Sequence, residues 1–183
     1  MSCEGIRHVT VPRRNALLCV DLGRVFGDFY EIDERLQVVH LGKVMASPGD
    51  KYAFLYALAD PNKRWLHVED AGKLMALCAY GQTASSDRDE QALIDFLLPR
   101  HGILLNSLSK EDLRNSPYHN VGVTHQKFTN LARRVSDAIF DSIHTFAKKN
   151  LTKGFPLLIA RGCGLNCESK QAFFRCFHSA MRK

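Results

Sequence analysis

The stretch FGDFYEIDERLQVVHL, Phe26 to Leu41, alternates apolar and polar side chains on both sides of an acidic step, Asp33-Glu34-Arg35. A two-residue period interrupted by turn-forming residues predicts antiparallel strands, here Phe26 to Ile32 and Leu36 to Leu41. Working upstream, Ala16-Leu17-Leu18-Cys19-Val20 predicts a third short strand, with Gly23 and Gly27 supplying the turn between them. The three form a meander.

Downstream the period changes. Pro48-Gly49-Asp50 breaks the chain before Lys51 to Ala59, whose Ala, Leu and aromatic content predicts a helix closed by Pro61. Asp70 stands where an N-cap would, opening a helix over Ala71 to Ala79 with Leu74, Leu77 and Cys78 on one face. Asp89 to Leu98 predicts another, ended by Pro99 and Gly102, and the polar region Asn106 to Asn120 reads as a mobile surface connection. From Thr124 the apolar residues Phe128, Leu131, Val135, Ile139, Ile143 and Phe146 recur at steps of three and four, the stripe of one long amphipathic helix. Gly154 is its expected stop, Phe155 to Ala160 a fully apolar strand, and Phe173, Phe174, Phe177 and Met181 mark a last helix. Strands followed by helices and a further strand make the chain α/β.

With 183 residues and 45% hydrophobic content, the chain has material for one core and a single domain over residues 1–183. Its net charge of +6 is spread along the sequence. Nucleic-acid binding needs a concentrated basic stripe with aromatic interleaving, so that sign of charge fits a small phosphorylated molecule better. No run reaches the roughly 18 apolar residues of a membrane span, and Arg7, His8, Arg13 and Arg14 occupy the place of a secretory core, so a cytoplasmic protein is expected. Six cysteines in mostly apolar surroundings suit reduced thiols. Cys163 and Cys167, with Cys176 and His178 downstream, lack the second close pair of a zinc site, and no two of the eight histidines stand four apart on a helix.

Three places carry candidate chemistry. The strand, turn and helix over Ile159 to Ser169 would present free backbone N–H groups to an anion, with Gly162 and Gly164 permitting close approach and Asn166 able to hydrogen-bond a base or ribose; two glycines in such a turn also serve packing alone. Lys73 is a single cation within DAGKLMALCAYG, Asp70 to Gly81. Either its stem lies over apolar surface with the ammonium in water, or the ammonium meets a phosphate or a carboxylate such as Glu69 or Asp70 in a cleft walled by Tyr80-Gly81. Asp21 ends an apolar strand, where a carboxylate manages metal or phosphate or simply caps a turn.

Four segments in this order, GDFYEIDERLQVVHLGKV (27–44), PGDKYAFLYALADP (48–61), DAGKLMALCAYG (70–81) and LLIARGCGLNCE (157–168), resemble motifs of the antibiotic O-carbamoyltransferases. That family acts on hydroxymethylcephems, tobramycin-type aminoglycosides and polyoxin-type nucleosides, with the nodulation protein U group as wider kin. The resemblance implies a partial actin-like ATPase domain (ASKHA, ribonuclease H-like) with a mixed sheet flanked by helices. It implies ATP or carbamoyl adenylate as ligand, a divalent metal with iron expected, and transfer of a carbamoyl group from carbamoyl phosphate and ATP to a hydroxyl of a small molecule. Lys73 falls in the family's G-K-x-M-x-L motif, taken as catalytic; Gly162, Gly164 and Asn166 fall in its nucleotide turn; Asp21 lies close to its acidic metal position.

There are departures. Arg161 replaces the first glycine of the turn, either filling space that ATP needs or pairing with phosphate, and Ser169-Lys170 stand where an aromatic and an asparagine are usual. The family's upstream histidine ligands and its downstream adenylate-forming domain have no counterpart in the 183 residues. These departures lead to the expectation of a partner chain or a homo-oligomer, with Phe173, Phe174 and Phe177 as the associating face. The alternatives are an inactive scaffolding subunit, or another chemistry using Cys163 or Cys167.

Overall fold

The alternation around Phe29 becomes the centre of a four-stranded sheet. A computed structural model describes residues 17–22, 26–33, 35–82, 87–100, 108–151 and 157–160; residues 17–22, 26 and 157–160 are described through their backbone. Strand β1 (Leu17–Leu22) runs antiparallel to β2 (Phe26–Ile32), which runs antiparallel to β3 (Val38–Ala46). Strand β4 (Leu157–Ala160) joins β1 in parallel, giving the order β3-β2-β1-β4 and a mixed sheet.

At the β2–β3 turn the Asp33 carboxylate accepts the N–H groups of Arg35 and Gln37, both at 2.8 Å, and Leu36 takes a positive φ of 61°. That places the turn where the acidic step predicted it. Strand β3 starts two residues later than expected, since the turn held by Asp33 takes in Leu36 and Gln37, and it runs on to Ala46 with irregular register against β2. Gly42 sits there at φ 141°, opposite Phe29, and a Cβ on it would meet the Phe146 ring at 3.1 Å. Hydrophobic alternation cannot be followed by eye through such a bulge.

Helix α1 (Pro48–Ala59) begins three residues before its expected start. Pro48 opens the helix instead of interrupting the chain: at the first helical position its missing N–H costs nothing and its fixed φ suits the turn. Every residue of α1 except Tyr56 is buried. Helix α2 (Asp70–Leu77), continued by a 3₁₀ turn over Cys78–Tyr80, packs along α1; helix α3 (Arg88–Leu97) and helix α4 (Gln126–Asn150) complete the layer. Asp87 caps α3 in a reciprocal capping box with Glu90.

Helix α4 is 25 residues long, about 37 Å at the usual rise. Phe128, Leu131, Val135, Ile139 and Ile143 are buried as their spacing predicts, and Phe146 tilts onto Phe29 with ring centroids 4.9 Å apart. Helix α4 ends at Asn150 with Leu151 as its C-cap, ahead of Gly154, which lies outside the described residues, as do the cysteines 163, 167 and 176 and the final helix expected around Phe173.

The polar connection before α4 departs from expectation. Its described part, residues 108–125, includes a capped 3₁₀ turn (Lys110–Leu113), and it is fastened to the end of α1. Asn120 N–H donates to Leu58 O at 2.8 Å, Gly122 N–H to Ala59 O at 2.9 Å, and the buried Lys110 ammonium to Asp60 O at 2.9 Å and Asn120 Oδ1 at 2.8 Å. These donors satisfy carbonyls that a helix leaves open at its C-terminus, so a polar composition here reports hydrogen bonding to a buried helix end.

Phe29 joins the sheet to α4, so Phe29→Ala is expected to cost about 3–5 kcal/mol of unfolding free energy. Urea denaturation measures it; a loss below about 1 kcal/mol would mean that the two layers are held together elsewhere.

Candidate functional site

The lone lysine of the α2 segment has a carboxylate to answer. Asp70 is fully buried, and Lys73 Nζ donates to its Oδ1 at 2.7 Å, with Lys63 Nζ at 3.2 Å from Oδ1 and 3.0 Å from Oδ2. Asp70 is the first residue of α2 rather than its N-cap; Glu69 precedes it with helical dihedrals and no side-chain cap. The chain already winds into the helix, since the N–H groups of Asp70 and Ala71 bond His67 O and Val68 O, which frees the Asp70 side chain for the lysines. A carboxylate at this end also complements the helix dipole.

Lys73 is half exposed, and its ammonium lies 5.4 Å from the centre of the Tyr56 ring. The Asp70 hydrogen bond raises its pKa, with burial opposing. For Asp70, burial pushes the carboxyl up, but the hydrogen bonds and charges of Lys73 and Lys63 together hold it below the usual carboxylate range. Of the wall expected beside Lys73, Tyr80 is exposed, whereas Gly81 presses against α4: a Cβ there would collide with Thr129 O and Arg133 Cβ. The described residues frame two open grooves, one between α3 and α4 around Arg134 and Asp137, one between β3 and α4 around Lys43 and Lys149; Lys73 lines neither.

Asp21 lies at the other centre of interest. In the sheet register it is the partner of Ala160 on one side and of Asp28 on the other, one residue from the carboxyl end of β1. Arg161, Gly162, Gly164 and Asn166 lie outside the described residues; Ala160, the residue before them, is the last of β4.

Asp28 is a buried acid the sequence did not disclose. It is 4% exposed, and its Oδ1 is 2.7 Å from His40 Nε2, whose ring is tilted against Tyr30 at 5.0 Å. Twelve positions separate the two residues; Tyr30 is the Cα partner of His40, and Asp28, two residues from Tyr30 on the same face of β2, meets the imidazole as its diagonal neighbour. Among the described residues no group of three histidine, cysteine or acidic side chains could hold a metal ion. Cys78 is buried, and burial drives its thiol up to about 12, so it is inert as a nucleophile. Among the same residues no helix is long and apolar enough to cross a membrane.

No family profile matches the chain. It is 34% identical over 146 residues, 78% of its length, to the 3'-hydroxymethylcephem-O-carbamoyltransferases of Streptomyces clavuligerus and of Amycolatopsis lactamdurans. Over those 146 residues the chain is similar to a part of the O-carbamoyltransferases. It spans 28% of the length of each of these two relatives. Within the O-carbamoyltransferase frame, the structure describes Lys73 in full and Asp21 by its backbone, and puts the carboxylate of Asp70 against the lysine.

Two pH dependences follow. Because the folded Asp70 pKa lies below its unfolded value near 4, its ion pairs stabilise the fold above about pH 4 and lose that effect as pH falls through the folded value. Asp70→Asn is therefore expected to flatten the acid limb of a stability-versus-pH curve, and an unchanged limb would contradict the pairing. Lys51 is fully buried in α1, its ammonium donating to Arg100 O at 2.5 Å; burial lowers its pKa from 10.5 to about 8, against the charge of Asp50. Between those values the unfolded chain holds a proton that the folded one has released, so stability rises with pH across that window. Lys51→Met should abolish the rise in urea midpoints taken from pH 8 to 10.5.

Proposed function

We propose that the chain works in O-carbamoylation, transferring a carbamoyl group derived from carbamoyl phosphate and ATP to a hydroxyl of a small natural-product acceptor. The observation that carries this reading is the identity with two O-carbamoyltransferases over 78% of the chain. The finer fold reading is part of an actin-like ATPase domain; a mixed sheet with helices packed against it supports that reading.

The acceptor oxygen attacks the carbamoyl carbon, the new C–O bond forms, the bond to the phosphate or adenylate leaving group breaks, and the hydroxyl proton passes to a base. Negative charge accumulates on the leaving group, which a fixed cation stabilises. Lys73 suits this part: Asp70 holds its ammonium in place at one N–H, and its half-exposed head keeps further donors for an anion. Gly162, Gly164 and Asn166 take the nucleotide, with Arg161 pairing its phosphate, and Asp21 borders the same end of the sheet through Ala160. A divalent metal, iron in the reading above, would add Lewis acidity. The described residues do not compose a site for it, and no step here runs through it.

The reading includes a partner chain that supplies the carbamoyl adenylate, association with a second copy as the other expected assembly, and a cytoplasmic setting. Combining the chain with candidate partners, carbamoyl phosphate, ATP and hydroxylated acceptors is expected to add one carbamoyl group to an acceptor, read by mass spectrometry. Lys73→Met should lower kcat by about 10²-fold or more under conditions where the variant, which loses one partner of buried Asp70 and so some stability, is still fully folded. No transfer with any partner and acceptor would refute the function, and full activity of Lys73→Met would remove the lysine from it.

A further inference from the structure

In open α/β sheets, ligands settle beyond the carboxyl ends of the parallel strands, because helix N-termini and free main-chain groups converge there. In this chain the parallel pair is β1 and β4, and its carboxyl end is marked by Asp21 and Ala160. Strand β2 runs the other way, so its early residues lie at that same end: Asp28 is the register partner of Asp21. One row therefore carries Ala160, Asp21 and Asp28.

Asp28 is not a free carboxylate on that row. Its side chain is 5% exposed, and His40 from β3 reaches it at 2.7 Å through Nε2, while 53% of the His40 side chain stays exposed. A carboxylate only accepts hydrogen bonds, so Nε2 carries the shared proton and the neutral ring keeps its lone pair on Nδ1. The Tyr30 ring, tilted against the imidazole at 5.0 Å, limits its rotation. A buried carboxylate on one nitrogen, with a bare nitrogen on the other side of the ring, is how a histidine is held for proton abstraction.

We infer that His40, opposite Tyr30 in the sheet and oriented by buried Asp28, the register partner of Asp21, takes the proton from the acceptor hydroxyl. The inference rests on the carbamoyl-transfer reading and deepens it. As the acceptor oxygen bonds to the carbamoyl carbon and the leaving group departs with the electron pair of its broken bond, the hydroxyl proton moves to Nδ1. The imidazolium so formed faces the Asp28 carboxylate, which stabilises its charge, and it returns the proton to solvent after product leaves. His40 is the catalytic residue in this scheme and Asp28 a positioning residue.

The test has two readouts. Nitrogen NMR of the imidazoles in the intact chain should find the neutral His40 ring protonated at Nε2 and bare at Nδ1, a preference that Asp28→Asn loses; a ring protonated mainly at Nδ1 overturns the inference. In the reconstituted transfer reaction, His40→Gln should lower kcat by about 10²- to 10⁴-fold with the acceptor KM within about twofold. Asp28→Asn should cause a smaller loss, and both losses should shrink for an acceptor with a more acidic hydroxyl, which needs less help in giving up its proton. A kcat within about twofold of wild type in His40→Gln, or a raised KM with unchanged kcat, overturns the role. Failure of the wild-type chain to transfer at all overturns the carbamoyl-transfer reading itself, a result that the wild-type control separates from a failure of His40 alone.

Discussion

The fold rests on the burial of one helix on all its sides. Helix α1 exposes little beyond part of Tyr56, and it carries two charged residues, Asp50 and Lys51, into the interior with it. A helix so enclosed must have its terminal carbonyls answered by protein groups, since no water reaches them. This constraint accounts for the residues around it: Asn120, Gly122 and Lys110 close its C-terminal end, and Lys51 turns its ammonium to the carbonyl of Arg100, just past the end of α3. The same enclosure lets α2 lie flat along α1, which fixes the height at which Asp70 and its two lysines stand.

The two lysines of the Asp70 cluster illustrate how charge is carried at a protein boundary. An isolated buried carboxylate would be costly, and the cost is offset by cations whose stems cross apolar surface while their heads stay partly in water. Lys73 is thereby positioned with little loss of exposure, which is what a residue meant to meet an anion requires. At the sheet, His40 and Asp28 follow the same arrangement with the exposed partner being the titratable ring. In both cases a buried acid aims a solvent-facing group.

Much of this was readable in the residues. The meander, the long helix and the final strand follow from period and turn chemistry, because each has a strong repeating pattern over its own length. What escaped was set by contacts between distant segments. Pro48 looked like a break and is a helix start; Asn106 to Asn120 looked like loose connection, and its described part is fastened to α1 by Lys110 and Asn120. The contact of Asp28 with His40 is diagonal across two strands, and it depends on a pairing register that no one-dimensional pattern shows. Lys73 was legible as an anomaly, and Asp70 was one of the two carboxylates its position suggested.

We propose that the carboxyl end of the parallel strands and the ammonium of Lys73 serve one phosphorylated ligand. It is tested most directly by mapping chemical shifts of the intact chain during titration with ATP. The account predicts that the amides of Asp21, Asp28 and Ala160, those at 162–166 and the Lys73 ammonium respond together with one dissociation constant. Saturation that moves either the sheet end or Lys73 without the other would contradict it.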